Sequence, residues 1–345
     1  MPSTSSQWKI CLVLPTCNEA ATLEGVVREV RSAFARHGLK EPIILISDDS
    51  HDETRMVARM LGLRVVIGGG RGLGFAMQLG LRAALALEPD AIVSMDADGQ
   101  SDPNEILRFL EPIASDRADM VVGSRFREKG SIQYPYKWIN RSGILILTWI
   151  LRRLTGLPLT DSHGGLRAMR PEVVREFDLL GTHTYVQESI IDAYEKGFRI
   201  VEVPSVWRSR LKGSSKVVGS IPKYIMYTLP ILLMRSGLHI RWLYSVGCLL
   251  MLAAVVYFGI VAWEEGFRFK QMFSRLPAFV FITLMAVVGV QLFSLGFLAE
   301  LSKNIKARVD RLQPEPKEWR DSVKSPFMVR HAHHERTATR QNSNT

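Results

Sequence analysis

Two aspartates, Asp96 and Asp98, follow an apolar run in the stretch DADGQSDP, and their type and spacing suit a divalent cation. In an extended segment, residues i and i+2 point to the same side, so both carboxylates can face one ion. Mg²⁺ and Mn²⁺ prefer oxygen ligands, and Mg²⁺ takes one or two protein carboxylates together with substrate phosphates. Gly99 permits a sharp turn, and Gln100 adds a neutral oxygen. We therefore predict a Mg²⁺ or Mn²⁺ site at Asp96, Asp98 and Gln100, completed by a diphosphate.

A calcium-binding EF-hand loop is excluded by the residues that follow. Counted from Asp96, that loop needs glycine at its sixth position and glutamate at its twelfth, where this chain has Ser101 and Leu107. A solvated acidic turn is the alternative that the Asp-x-Asp spacing alone leaves open.

The elements that must position these side chains alternate along the chain. Five short apolar runs (KICLVLP, PIILIS, LRVVI, DAIVSM and DMVVG) alternate with helical stretches at about residues 22–37, 52–61, 73–87 and 103–113. This alternation predicts an α/β fold with a mainly parallel sheet and helices on both faces. Ligands of such sheets bind at the carboxyl ends of the strands, where polar residues cluster here. These residues are Asn18, Glu19, Asp48, Asp96, Asp98 and Arg125.

A glycine-rich stretch, GGGRGLG, covers Gly68 to Gly74 and includes Gly72. No register of it gives G-x-G-x-x-G, and it follows the third strand rather than the first, so a dinucleotide-binding turn is disfavoured. The glycines instead favour backbone amides that approach a phosphate, with Arg71 beside them.

Two uncharged apolar runs, Trp242 to Trp263 and Leu276 to Ala299, are each long enough to cross a bilayer. Soluble core helices are the alternative, but such helices carry a polar face that these runs lack. Basic residues flank the outer ends of both runs, which predicts an integral membrane protein with its catalytic domain and both termini in the cytoplasm. The net charge of +10 then indicates an anionic membrane surface, and no nucleic-acid module is present.

Two shorter apolar runs, Gly143 to Leu151 and Ile225 to Met234, have basic ends and favour amphipathic helices in the headgroup layer, with core helices as the alternative. The predicted organisation is therefore a catalytic domain over 1–216, which includes an interfacial acceptor segment at about 132–155. Amphipathic juxtamembrane helices over 217–240, two transmembrane helices over 241–300 and a basic, largely disordered tail over 301–345 complete it.

Several motifs, in order, resemble those of the family 2 glycosyltransferases of the GT-A fold, and within them the polyprenyl-phosphate sugar synthases. The motifs are LPTCNEA, SDDSHDET, GLGFAMQLGL, DADGQSDP, VGSRF, DSHGGLRAMR and RLKGSSK. Two positions depart from the family pattern. Ser47 replaces an expected aspartate, and Gly164, after His163, stands where serine or threonine is usual. Both departures affect which nucleotide sugar would be used.

The resemblance implies roles for particular residues. Pro15, Asn18, Glu19 and Gly72 would line the nucleotide-sugar site, and Asp48 would bond the base. Asp96, Asp98 and Gln100 would hold the metal, Arg125 and Arg141 the lipid phosphate, and Arg210 and Lys216 the diphosphate. Asp98, Arg125 and Arg210 would be the catalytic residues.

The predicted activity is transfer of a sugar from a UDP- or GDP-linked donor to a polyprenyl phosphate of the undecaprenyl or dolichyl type, with inversion. A processive polysaccharide synthase is one alternative, although LHIRW has Leu238 where the usual Q-x-x-R-W element has glutamine. A non-catalytic, membrane-anchored nucleotide-sugar-binding homologue is the other. The sequence leaves a homo-oligomer open.

Overall fold

The apolar run ICLVLPT forms strand β1 (Ile10–Thr16), in which every residue is buried. In the computed structural model, the described residues are 7–136, 138–179, 185–210, 238–264, 266 and 275–312. They belong to two compact units, the first described within 7–210 and the second within 238–312.

The first unit contains a seven-stranded sheet in the order β3-β2-β1-β4-β6-β5-β7. All neighbouring strands are parallel except β6, which runs antiparallel to both β4 and β5. The prediction of a mainly parallel α/β sheet is therefore confirmed, and the antiparallel strand is an addition to it. The strands after β1 are β2 (Ile43–Asp48), β3 (Arg64–Ile67), β4 (Ala91–Ser94), β5 (Met120–Ser124), β6 (Arg167–Met169) and β7 (Ile200–Pro204).

The sheet is covered on both faces because its strands alternate their buried side chains. Ile10, Leu12 and Leu14 of β1 join one apolar cluster, while Cys11 and Val13 join the other. Helices α1 (Ala20–Arg36), α2 (Thr54–Met60) and α4 (Ile106–Ala114) cover the first face. Helices α3 (Leu73–Leu85), α5 (Trp138–Thr155), α6 (Pro171–Glu176) and α7 (Val186–Glu195) cover the second.

The chain leaves β1 toward β2 and β3 on one side, and β1 pairs with β4 on the other. Such a reversal of strand order opens a crevice at the carboxyl ends of the strands, which is where ligands bind in this class of sheet. Asn18 and Glu19 follow β1, and Asp96 and Asp98 follow β4, so the fold places both groups at this crevice.

Helix α5 combines the two alternatives left open for the run Gly143 to Leu151. Leu147 and Leu151 pack in the core, whereas Trp138, Ile146 and Trp149 are exposed on the same helix. The helix is therefore held by the domain on one side and presents large apolar side chains on the other. The second short run, Ile225 to Met234, lies outside the described residues.

The second unit contains helices α8 (Leu238–Glu264) and α9 (Leu276–Leu312). Their segments Ile240–Glu264 and Leu276–Ser302 are long and apolar enough to cross a membrane. Both helices extend past the predicted boundaries at 241 and 300, and α9 continues through Leu312 into the segment predicted as tail. Residues 313–345 lie outside the described part of the chain.

The two apolar helices pack closely at Gly247 of α8 and Gly289 of α9. A Cβ atom on Gly247 would lie 2.8 Å from the carbonyl oxygen of Gly289, and one on Gly289 would lie 2.9 Å from the carbonyl oxygen of Gly247. The absence of side chains here allows the backbones to approach, as is common between membrane helices.

Candidate active site

The loops that follow β1 and β2 are bonded to each other at Asn18 and Glu19. The backbone N–H of Asn18 donates to Ser50 Oγ (2.7 Å), and Asn18 Oδ1 accepts from the backbone N–H of His51 (2.8 Å). Asn18 adopts a left-handed backbone conformation with φ 56°. The backbone N–H of Glu19 donates to Thr54 Oγ1 (2.9 Å). These bonds place both residues at the mouth of the crevice, while Pro15 lies buried within β1 opposite Ser47.

Asp48 is fully buried, and the chain itself engages both of its carboxylate oxygens. Oδ1 accepts from Thr16 Oγ1 (2.7 Å) and Ser50 Oγ (2.5 Å), and Oδ2 accepts from Arg55 Nε (2.5 Å). The carboxylate therefore joins the ends of β1 and β2 to α2. Its predicted hydrogen bond to a nucleotide base stays a prediction.

Ser47, which departs from the family pattern, is also fully buried. Its Oγ donates to the carbonyl of Ala76 in α3 (2.5 Å), and a Cβ on Gly80 of α3 would lie 3.0 Å from Ser47 Cβ. The side chain at this position thus contacts a helix. Ser47 lies in the core between β2 and α3, so an aspartate at this position would bury a negative charge against a carbonyl oxygen.

The glycine-rich stretch contacts Asp49. The backbone N–H of Gly70 donates to Asp49 Oδ1 (2.9 Å), and a Cβ on Gly68 would lie 2.4 Å from the same oxygen. Gly72 has φ 99° and is the residue before α3, which requires glycine. Arg71 lies over the ring of Phe75 at 3.8 Å. One amide of this stretch is thus already bonded to a carboxylate, and the predicted phosphate contact stays a prediction.

Asp96 and Asp98 lie together in a poorly solvated position after β4. Burial and the charge of Asp98 raise the pKa of Asp96 to about 7, against the opposing effect of Arg210, Arg167 and Arg125. Burial also raises the pKa of Asp98. Asp98 Oδ1 accepts from the backbone N–H of Gln100 (2.9 Å), and Oδ2 pairs with Arg210 Nη2 (2.8 Å).

This pair of carboxylates fits a divalent cation that is shared with a substrate. Their mutual repulsion is the condition that a bound cation relieves, and Mg²⁺ commonly has only one or two protein carboxylates. Within the described ranges, no cluster of three or more His, Cys, Asp and Glu side chains could hold a metal ion. A site here would therefore need further oxygen ligands, such as those of a diphosphate.

Gln100 and the segment before Arg210 hold the acidic loop in place. Gln100 Nε2 donates to the carbonyl of Arg208 (3.2 Å), and the backbone N–H of Arg208 donates to the carbonyl of Gln100 (2.8 Å). The guanidinium of Arg208 pairs with Glu29 (2.5 Å) and Asp102 (2.6 Å). Metal ligation by Gln100 stays a prediction. Lys216 lies outside the described residues.

Arg125 is buried and forms a bidentate ion pair with Asp161. Its Nε and Nη2 donate to the two carboxylate oxygens at 2.6 and 2.7 Å. Its guanidinium carbon lies 4.5 Å from the centre of the Trp207 ring. Burial alone would raise the pKa of Asp161, but the charge and hydrogen bonds of Arg125 outweigh it and lower that pKa. The predicted acceptor-binding residue is thus also a structural link.

Arg141, the second predicted acceptor residue, is exposed in the first turn of α5. Its guanidinium lies 5.7 Å from the Phe126 ring, and that of Arg125 lies 5.5 Å from the same ring. The structure therefore brings the two arginines to one aromatic side chain. Their contact with a lipid phosphate stays a prediction.

Sequence reasoning missed three features of the segment DSHGGLR. Asp161 forms the ion pair with Arg125. Its place as the first residue of the motif DSHGGLRAMR was a signal that could have identified it. His163 bonds Ser162 (2.9 Å) and Gln187 (2.8 Å), and burial lowers its pKa to about 3. A Cβ on Gly164 would lie 1.9 Å from the carbonyl oxygen of Gly123, so this backbone contact requires the glycine.

The crevice, the paired carboxylates and Arg210 beside Asp98 are features of a sugar-nucleotide-dependent transferase. Similarity to known proteins agrees with this class. Residues 11–177 match the family described as Glycosyl transferase family 2. The chain belongs to glycosyltransferase family 2.

Two curated relatives extend the match. The chain is 30% identical over 247 residues to undecaprenyl-phosphate mannosyltransferase of Micrococcus luteus. The match covers 68% of this chain and 96% of the relative. It is 26% identical over 301 residues to undecaprenyl-phosphate 4-deoxy-4-formamido-L-arabinose transferase of Edwardsiella ictaluri, which covers 84% of this chain and 87% of the relative.

A solved structure shows the same fold. Glucosyl-3-phosphoglycerate synthase from Mycobacterium tuberculosis, crystallised with Mn²⁺, UDP-glucose and phosphoglyceric acid, superposes with a TM-score of 0.53 at 22% identity. The match covers 67% of this chain and 80% of that one. The first unit thus has a GT-A-like fold, as predicted.

Proposed function

We propose that this glycosyltransferase moves a sugar from a nucleoside-diphosphate sugar to a polyprenyl phosphate. The observation that carries the proposal is the Asp96–Asp98 pair, with Asp98 buried and bonded to Arg210, at the β1–β4 crevice of a chain with two bilayer-length helices. The names of both curated relatives, which describe undecaprenyl-phosphate sugar transferases, support the acceptor class.

The reaction joins two anionic substrates, so charge neutralisation is its main requirement. A phosphate oxygen of the acceptor forms a bond to the anomeric carbon. The bond from that carbon to the diphosphate breaks, and its electron pair leaves with the nucleoside diphosphate. A Mg²⁺ or Mn²⁺ ion at Asp96 and Asp98 would supply Lewis-acid stabilisation of that leaving group. Attack from the opposite side inverts the anomeric carbon.

The chain's own residues would position the substrates and screen their charge. Arg210 would stabilise the departing diphosphate from its place beside Asp98. Arg141, which is exposed, would reduce the repulsion that the acceptor phosphate meets, whereas Arg125 is 4% exposed and already paired with Asp161. A phosphate monoester has its second pKa near about 6, so the acceptor is mostly dianionic at neutral pH and needs no strong general base. Catalysis would therefore rest on positioning and electrostatics.

The membrane elements would hold this crevice at the lipid headgroups. Helices α8 and α9 would anchor the chain, and the basic residues around them favour cytoplasmic termini and a cytoplasmic catalytic domain. The exposed side chains Trp138, Ile146 and Trp149 of α5, followed by Arg152 and Arg153, suit a headgroup layer that combines apolar and anionic parts. A polyprenyl phosphate presents its charged group at that depth.

The test is transfer of label from a panel of UDP- and GDP-linked sugars to undecaprenyl phosphate by the purified full chain, measured after organic extraction. We expect one or more donors to label the lipid, and EDTA to stop the labelling. Asp98→Asn should lower the rate at least about 100-fold because it removes one of the two carboxylates that would hold the metal ion. Label in a water-soluble product, or full activity in EDTA, would contradict the proposal.

A matched control is Asp116→Asn. Asp116 is an exposed aspartate at the amino end of β5, whereas Asp98 follows the carboxyl end of β4. Its ion-pair partners are Arg170 and Arg199. This variant should transfer sugar at the wild-type rate. A similar loss in both variants would show that the effect of Asp98→Asn arises from general destabilisation.

A further inference from the structure

Trp207, which precedes Arg208 and Arg210, carries a buried hydrogen-bond donor to which the proposed reaction gives no role. Its side chain is 9% exposed, and its indole Nε1 has no hydrogen-bond partner among the residues that the structure describes. An indole N–H can only donate, so a partner for it must offer an acceptor oxygen. A buried donor without a partner costs free energy, which a ligand that accepts the bond would recover.

The position of Trp207 is fixed by its backbone. Its N–H donates to the carbonyl of Ser131 (2.7 Å), and its carbonyl accepts from the N–H of Gln133 (2.9 Å). It also forms an isolated antiparallel bridge with Ser101 of the acidic loop. Directly opposed residues of such a bridge point to the same side. Ser101 Oγ is buried too, and it has no hydrogen-bond partner in the described part of the chain.

Gly165 brings the backbone next to both Trp207 and the Asp96 carboxylate. The point where a Cβ of Gly165 would stand lies 2.6 Å from Asp96 Oδ2 and 3.5 Å from Trp207 Cζ2. Cζ2 belongs to the same edge of the indole as Nε1. The indole edge and the Asp96 carboxylate therefore both lie beside Gly165, where a side chain would collide with the carboxylate.

The groups around Gly165 match a neutral polyol better than an anion. Asp96 can accept from a hydroxyl, Trp207 can donate to one, and Ser101 can do either. A phosphate oxygen in the same place would be repelled by the Asp96 carboxylate. The guanidinium of Arg125 lies over the indole ring at 4.5 Å, so one face of the ring is covered.

We propose that Trp207 is a specificity residue whose indole N–H donates to one hydroxyl of the donor sugar, held between Trp207 and Asp96. The ligand class rests on the proposed function, since the sugar is that of the nucleotide sugar. Trp207 would add affinity for the sugar without adding affinity for the nucleotide. It would also reject a sugar that lacks this hydroxyl, because the N–H would then stay without a partner.

Calorimetric binding to the purified full chain, without acceptor lipid, tests this inference. The probes are UDP, GDP, UDP-glucose, UDP-N-acetylglucosamine and GDP-mannose, followed by monodeoxy analogues of the conjugate that binds most tightly. Trp207→Phe keeps the ring and removes the N–H. We expect unchanged nucleotide affinity, about three- to tenfold weaker conjugate affinity, and loss of the wild-type discrimination against one deoxy analogue.

Trp149→Phe is the matched control, because it removes the same N–H from a side chain that is exposed on α5. Its binding should equal that of wild type. Ser101→Ala, at the residue opposite Trp207, provides a second variant and should show a loss of the same kind. Discrimination by Trp207→Phe equal to wild type at every sugar position would overturn the inference, and so would an equal loss of nucleotide and conjugate affinity.

The outcomes for the two proposals are separable. If Trp207→Phe behaves as expected but no label reaches polyprenyl phosphate, the acceptor assignment fails and the role of Trp207 stands. If lipid is labelled and Trp207→Phe binds and discriminates like wild type, the role of Trp207 fails and the proposed function stands.

Discussion

Removing one member of the buried pair between Arg125 and Asp161 should destabilise the catalytic unit strongly. The two side chains are 4% and 0% exposed, so neither charge could be resolvated when its partner is lost. In Asp161→Asn, the guanidinium would face a neutral amide, and the backbone N–H groups of Arg125 and His163 would lose a charged acceptor.

The magnitude follows from that burial. Leaving one charge of a buried ion pair uncompensated typically costs about 3–5 kcal/mol. A unit of this size loses about 2–4 °C of Tm for each kcal/mol, so Asp161→Asn should lower Tm by about 6–20 °C. The double variant Arg125→Met with Asp161→Leu removes both charges together, and it should be less destabilised than Asp161→Asn alone.

The assay is thermal unfolding of the full chain in detergent, followed by intrinsic fluorescence and by loss of nucleotide binding. Asp116→Asn serves as the control, since its ion pairs are exposed and contribute little to stability. A Tm for Asp161→Asn within 1–2 °C of wild type would refute the reasoning. A double variant less stable than Asp161→Asn would do the same, because the cost would then come from lost packing rather than from unpaired charge.

Two further predictions concern the same segment. Gly164→Ser, which restores the usual family residue, should lower Tm by several degrees, because its Cβ would lie 1.9 Å from the carbonyl oxygen of Gly123. Gly143→Ser, where a Cβ would meet nothing within 4 Å beyond its own helical backbone, should not lower Tm. Equal effects of the two changes would contradict this explanation. The His163 pKa of about 3 lies below the unfolded value of 6.5, so the unfolded chain binds the extra proton and stability falls as pH falls from 6.5 toward 3. His163 should lower the free energy of unfolding by about 1 kcal/mol at pH 5 relative to pH 7, after allowance for the solvent contact that it keeps. The Tm of His163→Asn should therefore fall less than that of wild type over this pH range. Parallel Tm–pH curves for the two proteins would contradict this prediction.

The residues at the carboxyl ends of the strands could be predicted from sequence because the signals that locate them are local. The alternation of apolar runs and helical stretches indicated the sheet, and the spacing of Asp96 and Asp98 after the fourth run predicted that the two carboxylates lie close together. The salt bridge from Arg210 to Asp98 then joined two residues that had both been selected. The length and composition of the two apolar runs likewise predicted α8 and α9.

The roles of individual polar residues were less accessible, because burial and pairing are set by distant parts of the chain. Asp48 was selected for a base contact, yet its oxygens accept bonds from Thr16, Ser50 and Arg55. The departure at Ser47 is predicted to affect which nucleotide sugar is used, yet its side chain faces α3. Each of these outcomes depends on which strand or helix packs beside the residue, and no local pattern states that.

By itself, the sequence determined the strand and helix rhythm, the acidic pair and the two membrane-length helices, since each depends on spacing, composition or length within one short segment. Tertiary structure alone decided that β6 runs antiparallel between β4 and β5, that Arg125 pairs with Asp161, and that Trp207 borders Asp96 across Gly165. These are contacts between segments far apart in the chain, and their geometry is fixed only when the sheet has formed and its two faces are covered.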